Sequence, residues 1–261
     1  MAPIFVHLPS YFASNGFNEP SSQETGPYAD VFDCTYWQRV NQSPKLKDDF
    51  DTYMAAHKKG SSSIVDLVPL SSLVEGYEKS LPVLLVDIGG GVGHQSKELK
   101  SRYPFLDGEI IVQDLRVSKE LEFAGIRGMD YDFFTPQPIK SKFLTSPDSS
   151  AHAQNKKSGA RYYYYSAILH DWPDAECINI LKIVADAMRP GYSKLLINGI
   201  VLRETGATYF EACKDFGMMA AMSAKERTLP QIIALGAEAG LRYVGQHTGH
   251  HADNGIVEFE K

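Results

Sequence analysis

Leu84-Leu85-Val86-Asp87-Ile88-Gly89-Gly90-Gly91-Val92-Gly93-His94 is the stretch on which the fold turns. Its first half reads as a buried strand, because apolar residues surround a single acid, as suits a central parallel strand. Its second half sheds side chains. Glycine takes positive φ at no steric cost, and backbone amides there can approach a ligand closely. Gln95 to Tyr103 reads as the helix that comes next. Strand, glycine turn and helix make a nucleotide-site signature. An ordinary tight βα turn could have the same composition, but the strand before and the helix after favour the cradle.

Downstream the pattern alternates. Glu109 to Asp114 reads as a second strand with a short helix after it through Leu121, and Gly128 to Phe134 as a third strand and its exit. Tyr162 to Ile168 is rich in β-prone tyrosine; its tyrosines alternate faces, so at most two of Tyr162 to Tyr165 can face a site. Ala175 to Met188 has helical periodicity and stops at Arg189-Pro190-Gly191. Lys194 to Leu202 reads as strand, Tyr209 to Met222 and Leu229 to Gly240 as helices, and Arg242 to His247 with Gly255 to Phe259 as a closing antiparallel pair. This alternation predicts an α/β fold, a doubly wound Rossmann-like sheet with helices on both faces, over residues 81–261.

Residues 1–80 form a lead-in. Residues 1–27 hold four prolines and two glycines and read as extended or irregular chain. Residues 28–60 turn helical: Val31, Tyr36, Trp37, Val40, Leu46, Phe50, Tyr53 and Met54 recur at three- and four-residue spacing, with a break at Ser43-Pro44. These residues suit a plain core helix or one that packs near the ligand site. Residues 64–78 read as a further short helix. Ser141 to Ala160 is polar, with few apolar residues, and reads as a long surface loop.

The 261 residues carry a net charge of −6, which argues against a general nucleic-acid binder. The sequence contains no run of about 18 apolar residues, so no membrane span is expected. Met1 to Ser10 lacks the basic and apolar regions of a signal peptide. Cys34, Cys177 and Cys213 match no zinc or disulfide spacing and suit packing roles in a reducing cytosol. His247, His250 and His251 lack a carboxylate or cysteine pattern beyond Asp253, so they read as surface loop residues and no metal is expected.

The glycine spacing narrows the ligand. A dinucleotide fingerprint is G-x-G-x-x-G with an acid about 20 residues on. Here Gly89, Gly91 and Gly93 put the third glycine one place early, and His94 stands at the fingerprint position. Asp114 ends the second strand, where a carboxylate can accept both hydroxyls of a ribose. The pattern favours a nucleoside with a ribose diol and only weakly demands phosphate. S-adenosylmethionine has that chemistry.

Further motifs carry a resemblance. Val86 to Gly93, Asp114, Tyr131-Asp132-Phe133-Phe134-Thr135-Pro136-Gln137-Pro138, Leu169-His170-Asp171-Trp172-Pro173-Asp174 and Lys225-Glu226-Arg227-Thr228 come one after another in order. Together they resemble the catalytic domain of class I S-adenosylmethionine-dependent O-methyltransferases of the plant and fungal small-molecule type. The resemblance implies S-adenosylmethionine as cofactor, held by Asp87, Gly89, Gly90, Gly91 and Gly93. Its ribose would lie on Asp114 beside Leu115, its adenine near Asp132 and Phe133, with Ser166 at the strand end. It implies His170 as general base and Glu226 as the acid that orients it. A small-molecule acceptor with an aromatic or enolic hydroxyl is the expected partner. Met218, Met219 and Met222, with Phe210 and Phe216, form an apolar helical stripe that suits either core or a wall of the acceptor pocket. Asp171 directly succeeds His170 and is expected to point elsewhere as a structural residue.

Three departures stand out. The chain begins about where the family's N-terminal dimerisation domain ends, so the expected homodimer is weakened. The last sheet strand before residue 200 ends on Asn198-Gly199, where the family usually has a second glutamate. Ser166 stands where fungal members usually carry arginine. These leave room for two other functions: a protein that binds S-adenosylmethionine but steers a non-methylating cyclisation or dehydration, or a non-catalytic scaffold partner. An NAD-dependent dehydrogenase is disfavoured by the early third glycine.

Overall fold

Val83–Ile88 forms β1, and all six of its residues are buried. It lies between β2 (Glu109–Asp114) and β4 (Ala160–Ser166), both parallel to it. The computed structural model describes residues 2–57, 62–117, 121, 125–140, 159–249 and 254–261. With β3 (Ile126–Asp130), β5 (Lys194–Gly199), β8 (Arg242–Thr248) and β9 (Gly255–Glu260), the described residues build a seven-stranded sheet of order β3-β2-β1-β4-β5-β9-β8. The first five strands run parallel, whereas β9 pairs antiparallel with β5 and β8. The strand order reverses between β1 and β4, and ligands of such sheets bind outside the carboxyl ends at that switch point.

The tyrosines of β4 display the period of two. Tyr163 and Tyr165 pack with Val86, Ile88 and Ile111 against α8 (Asp174–Ala187) and α10 (Leu229–Glu238). Tyr162 and Tyr164 pack with Leu85, Ile110 and Val112 on the other face, against α5 (Ile64–Leu67), α6 (Leu70–Val74) and α7 (His94–Arg102). Each buried side chain of this size contributes roughly 1.5–3 kcal/mol. Two short strands, β6 (Val201–Leu202) and β7 (Arg227–Thr228), pair apart from the main sheet. The single strand expected to Leu202 therefore breaks at Gly199–Ile200, and its last two residues turn away to meet β7.

The N-terminal residues differ from expectation. Ala2–Ser14 is a helix, α1, despite Pro9 in its interior. Ile4, Leu8 and Tyr11 recur at helical spacing and form its buried face, while Pro9 is exposed on the outside. Ile4 and Leu8 pack with Tyr28 of α2 (Pro27–Phe32) and Met222 of α9 (Tyr209–Met222). Burial of that apolar face outweighs the hydrogen bond lost at proline. The helical reading of residues 28–60 resolves into α2, α3 (Tyr36–Gln42) and α4 (Pro44–His57), with the break at Ser43-Pro44. The polar loop lies outside the described residues up to Gly159, as do residues 118–120 of the short helix expected after β2.

Gly236 gives a test of the packing. A Cβ there would stand 2.3 Å from Cε1 of Phe259, whose ring is fully buried. Gly236→Val should destabilise the chain by about 1–3 kcal/mol through overpacking. The melting temperature measured by calorimetry should fall by roughly 2–4 °C per kcal/mol. An unchanged melting temperature would contradict this packing.

Candidate active site

At the carboxyl end of β1 the backbone turns on three left-handed glycines, Gly89, Gly91 and Gly93, with φ of 70°, 57° and 70°. Gly89 and Gly90 both donate their N–H to the Gln113 carbonyl, at 2.7 and 3.0 Å. The turn is as bare as it is tight. A Cβ on Gly89 would meet Ile168 Cδ1 at 2.5 Å, and one on Gly90 would meet the Asp87 carboxylate at 2.7 Å. Asp87 is buried beneath the turn and accepts a 2.7 Å hydrogen bond from Ser96 of α7. Gly93 caps α7 and has Leu121 2.4 Å from its ideal Cβ position. Asp87 and Gly93 thus shape the turn from behind.

In front of it lies a cleft of about 260 Å³. The structure brings Gly89, Gly90, Gly91, Asp114, Leu115, Asp132, Phe133 and Ser166 together around it. Asp114 Oδ2 accepts the Gly91 N–H at 3.0 Å, which fixes the acid against the turn. Asp132 Oδ1 accepts the Phe134 N–H at 2.9 Å and closes the bend after β3. Phe133, Phe134 and Trp172 meet edge-on or tilted, with ring centroids 4.7 to 5.9 Å apart. The opposite wall comes from α3 and α4: Trp37, Asn41, Lys47, Phe50 and Met54. The apolar period of 28–60 holds the signal for Trp37, Phe50 and Met54, but nothing in the sequence singles out Asn41 or Lys47.

His170 lies just beyond β4, in the single 3₁₀ turn Leu169–Asp171. Its Nδ1 is 2.8 Å from Glu226 Oε1, and Glu226 is 3% exposed. A proton on Nδ1 donates to that carboxylate, so the lone pair that accepts a further proton is on Nε2. Glu226 in turn donates its backbone N–H to Asp215 Oδ1 at 3.0 Å. Burial, with repulsion from Glu226 adding to it, pushes the Asp215 carboxyl above its ordinary range. His170 and Glu226 line a smaller cavity with Asn198 and Gly199, and Ala167 and Ile168 stand in the walls of both cavities. Ala167 is left-handed at φ 56°, an uncommon conformation for alanine, where β4 ends between the two.

Two expectations need correction. Asp171 does not point away: its Oδ1 lies 3.5 Å from His170 Nε2, and the residue lines the cleft. The 3₁₀ turn is tight enough to bring neighbouring side chains to one end of the strand. His247 is not a loop residue. It sits in β8 with Nε2 2.8 Å from Glu258 Oε2, because that buried carboxylate needs partners and also takes Lys194. His250 and His251 lie outside the described residues. Met222 is buried, and Met218 and Met219 are partly buried against the same α1–α2 cluster; none of the three lines either cavity. Among the described residues no group of three or more His, Cys, Asp or Glu is placed to hold a metal, and no helix is long and apolar enough to cross a membrane.

A mostly parallel sheet thus presents a glycine turn, a strand-end acid and a carboxylate-bound histidine at one end. Residues 154–242 match the family model of the O-methyltransferase domain. Demethylsterigmatocystin 6-O-methyltransferase of Emericella nidulans is 39% identical over 166 residues, covering 63% of this chain and 72% of that protein. The chain belongs to the O-methyltransferase family. Other curated relatives at 32% to 34% identity align with 92% of this chain, which spans 57% of their length. Among solved structures, one titled "A Pericyclic Reaction enzyme" has a TM-score of 0.85 at 25% identity. The LepI complex with SAM has a TM-score of 0.85 at 26% identity. Each alignment covers 99% of this chain and 63% of the other.

Arg227 is the residue whose importance the sequence least reveals. It is 3% exposed and donates to the carbonyls of Leu169 at 2.7 Å and Trp172 at 2.8 Å, on either side of His170. It also holds Asp174 Oδ1 through Nε at 2.9 Å and Nη2 at 2.7 Å. Burial opposes ionisation of Asp174, but Arg227 and Lys225 outweigh it and hold the carboxyl below its ordinary range. That contribution to stability is present at neutral pH and is lost as pH falls below the ordinary carboxylate range. Arg227→Lys cannot reproduce the planar fork and should cost about 1–3 kcal/mol in urea unfolding, mostly from carbonyls left unsatisfied. A shift below about 0.5 kcal/mol, the scale of an ordinary surface change, would contradict the pinning role.

Proposed function

We propose that this chain is the catalytic part of an S-adenosylmethionine-dependent O-methyltransferase that acts on a hydroxyl of an aromatic or enolic small molecule. The observation that carries this reading is the His170–Glu226 pair, 2.8 Å from Nδ1 to Oε1, one turn beyond the strand end beside the glycine cradle. The residues around the cleft fit the cofactor. A Cβ on Gly89 or Gly90 would strike Ile168 or Asp87, so only glycine lets the backbone lie this close to the cleft, and Asp114 ends β2 beside the turn. When bound, S-adenosylmethionine supplies a methyl group on a cationic sulfur.

The chain's own residues then have separable tasks. Gly89, Gly90 and Gly91 expose backbone, while Asp87 and Gly93 keep that backbone turned. Asp114 accepts hydrogen bonds from a ribose diol, with Leu115 against the sugar. Asp132 and Phe133 flank the adenine, and Ser166 closes the strand end. His170 Nε2 takes the proton from the acceptor hydroxyl as that oxygen becomes nucleophilic. A phenol has a pKa near ~10 and an imidazole ~6.5, so the proton must leave within the reaction step rather than ahead of it. Glu226 holds the ring tautomer and balances the imidazolium that results. The relatives named as O-methyltransferases support oxygen as the acceptor atom. Cys34, Cys177 and Cys213 are free thiols, which accords with work in a reducing cytosol.

One observation favours a second reading. Gly199 adds no carboxylate to the His170 cavity, and a structural neighbour is titled a pericyclic enzyme. A protein of that kind would bind S-adenosylmethionine and release product with the cofactor unconsumed.

Incubation with S-adenosylmethionine and a panel of phenols, then mass spectrometry, separates the two. Methyl transfer yields S-adenosylhomocysteine in step with a product heavier by one methylene; product without S-adenosylhomocysteine supports the second reading and rules out the first. His170→Ala should lower kcat by about 10²–10⁴-fold, the usual contribution of a general base. Turnover near that of the wild type would remove His170 from the mechanism.

A further inference from the structure

His170 faces a carboxylate at each ring nitrogen. Glu226 Oε1 is 2.8 Å from Nδ1, and Asp171 Oδ1 is 3.5 Å from Nε2. Both acids are shielded from water, with side chains 2% and 13% exposed. The second distance is that of an ion pair rather than a good hydrogen bond, so Asp171 acts on the ring through its charge. The backbone makes the contact possible: Asp171 donates its N–H to the Ile168 carbonyl at 3.1 Å, closing the tight turn. Gln23 fixes the same residue from the N-terminal side, donating from Nε2 to the Asp171 carbonyl at 2.7 Å.

The placement of the two residues differs. Asp171 lines the cleft with the glycine turn, whereas His170 lines the smaller cavity with Gly199. Asp171 therefore stands between the cofactor end of the site and the imidazole. On the other side, β5 ends on Gly199, and a Cβ built there would meet nothing within 4 Å. No side chain from Gly199 reaches into the cavity that His170 lines.

We propose that Asp171 is a second positioning residue of the base, which holds Nε2 toward the cofactor cleft and balances the ring's positive charge once a proton has arrived. The catalytic meaning of this contact rests on the reading of His170 as general base; the electrostatic contact itself does not. The charges facing the ring come from several elements. The 3₁₀ turn gives Asp171, the segment before β7 gives Glu226, and α9 gives Asp215 behind Glu226. Of the cations, Arg227 holds Leu169, Trp172 and Asp174, Lys225 holds Glu19 and Asp174, and Lys47 of α4 lines the cleft together with Asp171. The Asp171 charge also reaches Tyr36 of α3, whose hydroxyl is pushed up to about 12, first by burial and then by Asp171.

The test is an NMR titration of the histidine rings in the full chain, labelled with ¹⁵N and studied without cofactor or acceptor. Asp171→Asn should lower the His170 midpoint by on the order of one pH unit, as expected for removal of an opposite charge within about 4–6 Å. Asp171→Glu, which keeps the charge, should restore most of the wild-type value. His247, whose partner is Glu258, should titrate unchanged and report an intact fold. An unmoved His170 midpoint in Asp171→Asn, with His247 unchanged, overturns the proposal. So does a wild-type midpoint at or below the ordinary ~6.5 of histidine, which needs no variant. The outcome is distinguishable from that of the methyl-transfer reading. The predicted titration in a chain that forms no S-adenosylhomocysteine keeps the Asp171 contact and removes the reaction. Methyl transfer with an unmoved midpoint keeps the reaction and removes Asp171.

Discussion

Gly90 passes over the Asp87 carboxylate with no room for a side chain between them, and the ligand end of the sheet is built on that close approach. The buried acid holds Ser96 in the first turn of α7, so strand, turn and helix are locked to one another through a single side chain. The left-handed glycines then let the chain reverse over the strand ends instead of continuing away from them. Gly91 delivers its N–H to Asp114, which places the second acid at the front of the cleft. One acid supports the turn from below and the other faces the cleft. Their different positions relative to the glycines account for their different tasks.

The second half of the site depends on β4. Its tyrosines fill both cores, so the strand cannot slide or rotate without exposing large rings. The segment after β4 is therefore fixed in space: Ala167 in a left-handed conformation, then Ile168 against Gly89, then the turn that carries His170 and Asp171. Arg227 grips that turn by two carbonyls, and the next residue in the chain toward the N-terminus is Glu226. The residue that pins the histidine's backbone and the residue that binds its ring are adjacent. Orientation of the ring is thus coupled to the anchoring of its loop.

Much of this is legible in the sequence, for a physical reason. A parallel strand running into glycines suits a nucleotide site, and the glycine spacing with the acid beyond it favours a nucleoside with a ribose diol. The alternation of Tyr162 to Tyr165 between faces comes from strand geometry alone. The failures share a cause as well. Pro9 weighs locally against a helix over Ala2–Ser14, whereas the deciding term is burial of Ile4, Leu8 and Tyr11 against distant partners. Adjacent residues diverge in a strand or a helix, which predicts that Asp171 turns away from His170; the tight 3₁₀ turn that reunites them leaves no sequence mark. His247 pairs with Glu258 across a strand register, which residue order does not reveal. Asn41 and Lys47 reach the cleft only because α3 and α4 fold back over it.

On the proposed reading, the glycine turn and Asp114 form a seat for the adenosine of S-adenosylmethionine. Isothermal calorimetry of the purified chain with S-adenosylmethionine, beside NADH and beside the Asp114→Ala variant, tests it most directly. Saturable binding of S-adenosylmethionine alone is predicted, weakened in the variant by roughly 1.5–3 kcal/mol, the worth of a charge-assisted hydrogen bond. Binding of S-adenosylmethionine that is unchanged in Asp114→Ala, or binding of NADH in its place, would contradict the account.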